Sequence, residues 1–296
     1  MTAPVDVQQL ADRRAQARAD KDYAASDGLR AEINALGWGV KDTAEGQVLS
    51  ALPPYPVLQQ VGDLPDRSQE PDTHHCTVAL LVEGWPEDLR TAVSALLEHG
   101  PQDLQVVLLE IGDTDAGAVV HELAQHERVS ELHVERTAGW AEARNALVRA
   151  DTAQFHVVMD LSTVLEGDGI TPLLEAGADA AGWRGVHVED GWLGFADSPP
   201  GEVEALLSYL IAVRRSVALQ VPLPPKARFY RNADMEWSYL LREAGFRLVA
   251  VDVPVRQDRH RGYHDSDPVM RDRESKKTYD RFLQRFRGRE DLRLPS

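Results

Sequence analysis

Acidic, basic and imidazole side chains gather at the ends of the apolar runs of this chain. Glu110-Ile111-Gly112-Asp113-Thr114-Asp115 closes the run LQVVLLEIG, and Arg144-Asn145 lies in the opening turns of a helix that follows ELHVER. Asp160-Leu161-Ser162 comes directly after FHVVM. Asp234 and Glu236 open the segment that ends AGFRLVAVDVPV, and His260, in RHRGYH, follows that last run. Carboxylates and imidazoles of this kind move protons or hold hard cations, and guanidinium groups hold anions. In open parallel sheets ligands bind beyond the carboxyl ends of the strands, the position these residues share. Each has a plain structural reading as well. Asp160 could be a helix N-cap, Asp234 and Glu236 first-turn acids favoured by the helix dipole, and Arg144-Asn145 a fastening for loops. His74-His75-Cys76 reads as the start of a strand, because sequence neighbours rarely converge on one ion.

The elements that must position these residues alternate. CTVALLVEG, LQVVLLEIG, ELHVER and FHVVMDLS are apolar runs suited to buried strands. Between them, residues 86–98, 115–126 and 139–150 carry helical spacing; Pro86 opens the first, with Leu89, Val93, Leu96 and Leu97 on one face. Such alternation implies right-handed crossovers and a mainly parallel sheet flanked by helices. Further along, AAGWRGVHVED and GWLGFAD read as shorter strands, 201–215 as a helix, 235–244 as a helix ending at Gly245, and FRLVAVDVPV as a last strand. A helix is expected over 273–286. At the N-terminus, residues 7–21 and a segment capped by Asp22 and ended by Gly37 predict two helices joined by a tight turn. Residues 51–75, rich in proline, read as an extended linker.

Composition bounds the function classes. The 296 residues are 43 % hydrophobic and 27 % charged, enough apolar surface for a packed core and against general disorder. The one cysteine, Cys76, excludes a disulfide framework and a cysteine-rich zinc site, and fits a reducing compartment. No apolar run approaches the ~20 residues that cross a bilayer, and the N-terminus lacks an apolar stretch of signal type. The expectation is a cytoplasmic protein whose membrane contact, if any, is peripheral. The net charge of -16 is uneven: residues 1–50 hold six basic and eight acidic side chains, and 256–296 hold twelve basic and eight acidic, leaving the middle at -18. An acidic body repels bulk nucleic acid. The basic tail can meet phosphate, anionic lipid or the acidic body itself.

Residues 10–46 carry Lys21, Asp22, Tyr23, Ala24, Asp27, Leu29, Arg30, Glu32, Ile33, Leu36, Gly37, Asp42, Thr43 and Gly46 in a pattern that resembles the C-terminal helical end of cysteinyl-tRNA synthetases. No segment of the synthetase ATP site accompanies them, so aminoacylation is set aside. The resemblance implies either a docking hairpin or contact with tRNA, and the excess of acidic over basic side chains favours docking.

VLLEIGDTD, GWAEARN, VVMDLS, ADMEWSYLLREAGFRL and His260, in that order over residues 76–264, resemble the family 2 glycosyltransferases of GT-A fold. The resemblance implies a GT-A-like, Rossmann-like α/β domain at 76–264, after a helical hairpin at 1–50 and a linker at 51–75, and before a basic helical tail at 265–296. It also implies inverting transfer from a nucleoside diphosphate sugar to an unknown hydroxyl acceptor. In that reading Asp234 is the general base with Glu236 beside it. Glu110, Asp115, Arg144 and Asp160 contact the nucleotide, and Asp160 and His260 face a divalent cation, Mn or Mg. Trp85, Trp140 and Trp237 are expected near a sugar-sized cleft. Three departures stand out: Ser162 replaces the third carboxylate of the D-x-D, Glu110-Ile111 replaces a pair of aspartates, and Ala233 precedes Asp234 in place of an acid. They point to relaxed metal dependence, or to a non-catalytic nucleotide-sugar-binding or docking domain of the same fold.

Overall fold

The computed structural model describes residues 2–43, 46–112 and 114–295. Two units divide the chain, Met1–Pro56 and Val57–Ser296.

In the first unit, α1 (Val5–Ala19) and α2 (Tyr23–Ala35) form an antiparallel pair. The Asp22 carboxylate accepts the Ala25 N–H at 3.0 Å and caps α2. Gly37, at φ +77°, turns the chain out of the helix where a side chain would be strained. The chain beyond Gly37 then forms a hairpin of β1 (Trp38–Thr43) and β2 (Gly46–Ala51), absent from the helical reading of residues 1–50. Val7, Ala11, Ile33, Trp38 and Val40 close a small core. Arg14, buried beside it, makes a two-pronged ion pair with Asp42 at 2.8 and 2.9 Å.

In the second unit, residues after Pro56 run along a sheet edge: Leu58 exchanges backbone bonds with His133 and Glu135, and Val61 and Leu64 are buried. The alternation predicted from the sequence follows, with β3 (His74–Val82), α3 (Pro86–His99), β4 (Gln105–Ile111), α4 (Gly117–Leu123), β5 (Val129–Val134), α5 (Trp140–Ala150) and β6 (Ala153–Met159). Next come β7 (Val164–Leu165), α6 (Thr171–Leu174), β8 (Ala180–Gly182), β9 (Gly185–Val188), β10 (Phe195–Ser198), β11 (Gly201–Glu202), β12 (Ala205–Leu206) and β13 (Leu210–Arg214). The chain ends through α7 (Arg215–Gln220), α8 (Ala233–Glu243), β14 (Leu248–Ala250), β15 (Val255–Arg256), α9 (Arg261–His264) and α10 (Pro268–Phe286).

The central sheet has eight strands in the order β11-β14-β8-β13-β6-β3-β4-β5. β6, β3, β4 and β5 are mutually parallel, β8 and β14 are parallel, and β13 runs antiparallel between β6 and β8. A second sheet, β10-β9-β12, packs through Val186, Val188 and Ala205 on Tyr239 of α8 and on Phe282 and Phe286 of α10.

The helix expected over 201–215 is not formed. That stretch makes β11, β12 and β13, because Leu210–Arg214 completes the ladder between β6 and β8. Its helix-forming residues and 3-4 apolar spacing are overridden by two-sided burial in the sheet. No helix of the described residues is long and apolar enough to cross a membrane.

Candidate functional site at the carboxyl edge of the sheet

The buried run of β6 ends at Asp160, where the chain folds back towards β7. The turn is local: Asp160 Oδ1 accepts the Ser162 N–H at 2.9 Å and the Ser162 hydroxyl. The Asp160 N–H donates to the Tyr209 carbonyl at 3.0 Å, and the Thr163 hydroxyl donates to the same oxygen. Asp160 Oδ2 lies 3.2 Å from His260 Nε2. His260 Nδ1 accepts the Tyr263 N–H, so the hydrogen-bond network assigns the ring proton to Nε2, facing Asp160. The imidazole stacks on Tyr230 at 4.3 Å and meets the Tyr209 edge at 5.4 Å. Burial pushes the Asp160 carboxyl upward, but the bonds from His260 and Ser162 outweigh it and hold the group below its ordinary value.

Asp234 stands in the first turn of α8, after Asn232 in the left-handed region at φ +66°. Its Oδ2 accepts the Ser208 N–H at 3.0 Å and the Ser208 hydroxyl at 3.2 Å, and its Oδ1 accepts the Met235 N–H at 2.9 Å. Burial dominates here and raises the Asp234 carboxyl above its usual range. Ser208 and Tyr209 are therefore a two-residue clasp. One binds Asp234, the next binds Asp160, and consecutive Cα atoms are about 3.8 Å apart. Burial raises the phenols of Tyr209 and Tyr230 above their ordinary range, and the two carboxylates add to that rise.

Two adjoining clefts open on the two acids. One of about 820 Å³ is lined by Asp234 together with Phe195, Tyr209, Tyr230, Tyr263 and Tyr279. The other, of about 500 Å³, is lined by Asp160 with Glu83, Trp85, Trp140, Arg144 and Arg228. Tyr230 and His260 belong to both, so their stack is the wall between them. Trp85, a bulky residue held at φ +58°, stands at the second cleft; backbone strain of this kind concentrates at ligand sites.

The remaining sequence-predicted residues are distributed as follows. Arg144 reaches the floor of the second cleft, but it donates to the Ala79 carbonyl at 2.6 Å and the Met159 carbonyl at 2.8 Å. Glu110 is buried at the end of β4, bonded to His133 Nδ1 at 2.6 Å and to the Thr114 hydroxyl at 2.5 Å. Asp115 is exposed in the loop before α4, close to Gly84 after β3; Asp113 lies outside the described residues. Glu236 turns away from both clefts and pairs with Arg281 of α10 at 2.7 Å. Trp85 and Trp140 are at the second cleft as expected. Trp237 is not: it is 1 % exposed, packed in the core with Val217, Leu223 and Leu241, and its indole donates to the Val221 carbonyl.

Sequence reasoning missed Glu83, Ser208, Tyr209, Tyr230, Arg228 and Gln257. Glu83 follows β3 directly, so the rule that found Asp160 would have found it had that strand been ended at Val82. Ser208 and Tyr209 were hidden inside the expected helix. Arg228 and Tyr230 carry a weaker signal, a basic and aromatic stretch immediately before Asp234.

The Glu110 pair makes a pH prediction. Burial lowers His133, but its bonds to Glu110 and Glu131 prevail and hold it above the ordinary 6.5. Burial raises Glu110 and Glu131, and the bonds from His133, Thr114 and His121 prevail in holding both below 4.5. The histidine's contribution to stability is complete below 6.5 and is lost as pH rises through its raised folded value. The carboxylates' contribution is complete above 4.5 and is lost as pH falls through their lowered folded values. The stability difference between the parent and His133→Gln, read from urea midpoints, is expected to be largest between pH 4.5 and 6.5 and to shrink towards pH 9. A difference that stays flat with pH would refute the charged pairing.

A divalent cation fits this donor set poorly. Asp160 and His260 are two donors of the right type, but the third position is the neutral Ser162, whose hydroxyl is spent on Asp160. Gln257 Nε2 also faces this group, at 3.2 Å from Ser162 Oγ. Among the described residues no cluster of three His, Cys, Asp or Glu side chains could hold a metal ion. Hard cations take six or more oxygen ligands, so such a site would be filled mainly from elsewhere.

The large, mostly parallel central sheet flanked by helices is similar in fold to the GT-A glycosyltransferases. The chain is similar to GalNAc-T7 solved with UDP, GalNAc and Mn2+, at TM-score 0.59 and 15 % identity over 71 % of this chain and 48 % of that one. It is also similar to the mannosyltransferase PcManGT from Pyrobaculum calidifontis, solved with GDP-Man and Mn2+, at TM-score 0.51 and 16 % identity over 69 % of this chain and 62 % of that one. Likeness at this identity is one of fold. No family model matches the chain. A short N-terminal segment is 50 % identical over 49 residues to cysteine–tRNA ligase 1 of Burkholderia lata and 49 % identical over 49 residues to the cysteine–tRNA ligase of Nitratidesulfovibrio vulgaris. That segment is 17 % of this chain and 10 % of each ligase.

Proposed function

We propose that the chain transfers a sugar from a nucleoside diphosphate sugar to a hydroxyl acceptor with inversion, Asp234 serving as general base. The observation that carries this reading is the Ser208-Tyr209 clasp, which holds Asp160 and Asp234, 74 positions apart in the sequence, at two clefts sharing one aromatic wall. The fold likeness supports it, because both similar structures were solved with nucleotide ligands. The second cleft then takes the nucleoside diphosphate and the aromatic cleft takes the acceptor.

In the transfer step the acceptor O–H gives its proton to Asp234. The acceptor oxygen bonds to the anomeric carbon from the face opposite the diphosphate, and the bond from that carbon to the phosphate oxygen breaks with its electron pair leaving on the diphosphate. A carboxyl raised by burial is a stronger base once ionised, which suits this role. Asp160 and His260 are the residues that would face a cation of the kind both similar structures hold, but two donors do not build that site.

Calorimetric titration of the full chain with a panel of UDP- and GDP-sugars tests the reading. Saturable heat is expected with at least one donor, displaced by the matching nucleoside diphosphate. A panel silent throughout would sink the proposal. Contact with tRNA through Met1–Pro56 rests on the short ligase likeness alone, and six basic against eight acidic side chains in residues 1–50 do not favour it.

A further inference from the structure

Sugar transfer as proposed requires that the charge of a departing diphosphate be met, and the cleft assigned to it contains four arginines, Arg144, Arg228, Arg261 and Arg273. Three are already engaged. Arg144 donates to two main-chain carbonyls, Arg261 pairs with Asp88 at 2.7 Å and with Asp265, and Arg273 pairs with Glu274 at 2.9 Å. Arg228 is exposed, and its guanidinium has no partner among the described residues.

The base of that side chain is fixed although its tip is free. The Arg228 carbonyl accepts the Trp140 N–H at 3.1 Å, and the Ala227 carbonyl accepts the Ala141 N–H at 3.0 Å. Gly139 permits this close approach, since a Cβ there would meet Arg228 Cα at 3.3 Å. These bonds also consume the first free N–H groups of α5, and Glu142 reaches back to the Gly139 N–H, so the helix start is not left open to an anion. Across the cleft, Asp160 is turned inward on donors of the protein itself: Ser162 N–H and hydroxyl on one oxygen, His260 on the other, with the Gln257 amide facing the same oxygen as Ser162.

We infer that Arg228 supplies the positive charge that holds the donor's diphosphate, and that nucleotide binding by this chain does not require a divalent cation. The inference rests on the sugar-transfer reading and deepens it. A guanidinium offers two parallel N–H donors to a phosphate, geometry that an ammonium lacks. Such a charge-assisted pair contributes about 1.5–3 kcal/mol, a factor of roughly 10 to 150 in affinity.

The test is titration of the full chain with UDP and with GDP, first in EDTA and then in excess Mn2+. The nucleotide that binds is expected to do so with affinities within about 3-fold in the two buffers. Arg228→Ala is expected to weaken it by about 10- to 100-fold with the urea midpoint unchanged, and Arg228→Lys by less, since charge remains without the fork. Binding that appears only with Mn2+ overturns the inference and leaves the sugar-transfer reading intact. Parental affinity in Arg228→Ala overturns it in the same way. Silence of both nucleotides in both buffers overturns the sugar-transfer reading, and the inference falls with it.

Discussion

Asp234→Asn is expected to lower donor turnover by about 100- to 10,000-fold, the range that a positioned general base contributes, while nucleoside diphosphate affinity stays within about 3-fold. The acid faces the aromatic cleft, across the Tyr230–His260 wall from the cleft proposed for the nucleotide, so under that proposal its loss removes proton acceptance and leaves nucleotide contacts alone. The substitution is not silent for folding. Asp234 accepts N–H groups on both oxygens, and an amide nitrogen would confront a backbone donor at one of them. A cost of about 1–3 kcal/mol follows, and the urea midpoint must be measured beside the rate. Ser208→Ala separates the two effects. It keeps the carboxylate but deletes the hydroxyl bond that lowers its pKa, so the acid limb of the rate profile moves to higher pH with a rate loss of only a few-fold. Turnover at the parental rate in Asp234→Asn would put the base elsewhere. A parent that binds donor but never turns it over would support the non-catalytic reading.

The part of this fold that was legible in the sequence is the part with one dominant local signal. β3, β4 and β6 are dominated by apolar runs, and α3 announces itself with Pro86 and a leucine stripe. The residues after those strands could be named because topology fixes where parallel strands deliver their ends. What was not legible is the antiparallel insertion. GEVEALLSYLIAVRR has helix formers at helical spacing, and only the gap between β6 and β8, made by residues far away in the chain, turns it into strands. That misreading concealed the Ser208-Tyr209 clasp, so the sequence offered the two acids without the element that joins them. The hairpin after Gly37 was lost for a related reason: WGVKDT is short and half polar, and its pairing with residues 46–51 supplies the order.

Glu236 illustrates the other limit. Its type and place, two residues after Asp234 at a helix start, suit chemistry as well as dipole compensation. The residue that uses its charge, Arg281, is 45 positions later, in a tail whose basic excess gave no address. Arg285 and Arg289 likewise pair with Glu243, so much of that excess is spent on the acidic body.

Arg144→Met carries the second large expectation: a loss of about 3–4 kcal/mol in the stability of the Val57–Ser296 unit, read from the urea midpoint. The guanidinium is 3 % exposed and bridges the carbonyls of Ala79 in β3 and Met159 in β6, neighbouring strands that deliver Glu83 and Asp160 to the cleft. Burial pushes Arg144 down to about 10, with Asp160 and Glu83 opposing, so it remains cationic at neutral pH. Methionine fills a similar volume but leaves two buried carbonyls without their donors, at about 1–3 kcal/mol each before relaxation, and strips the charge that faces two carboxylates. Arg144→Lys restores the charge and one of the two bonds, so its loss should be near half. The contrast with Arg228 is sharp: one arginine should cost stability, the other affinity. If Arg144→Met instead unfolds within 1 kcal/mol of the parent and fails to bind nucleotide, the bridge between β3 and β6 is dispensable and the guanidinium belongs to the ligand.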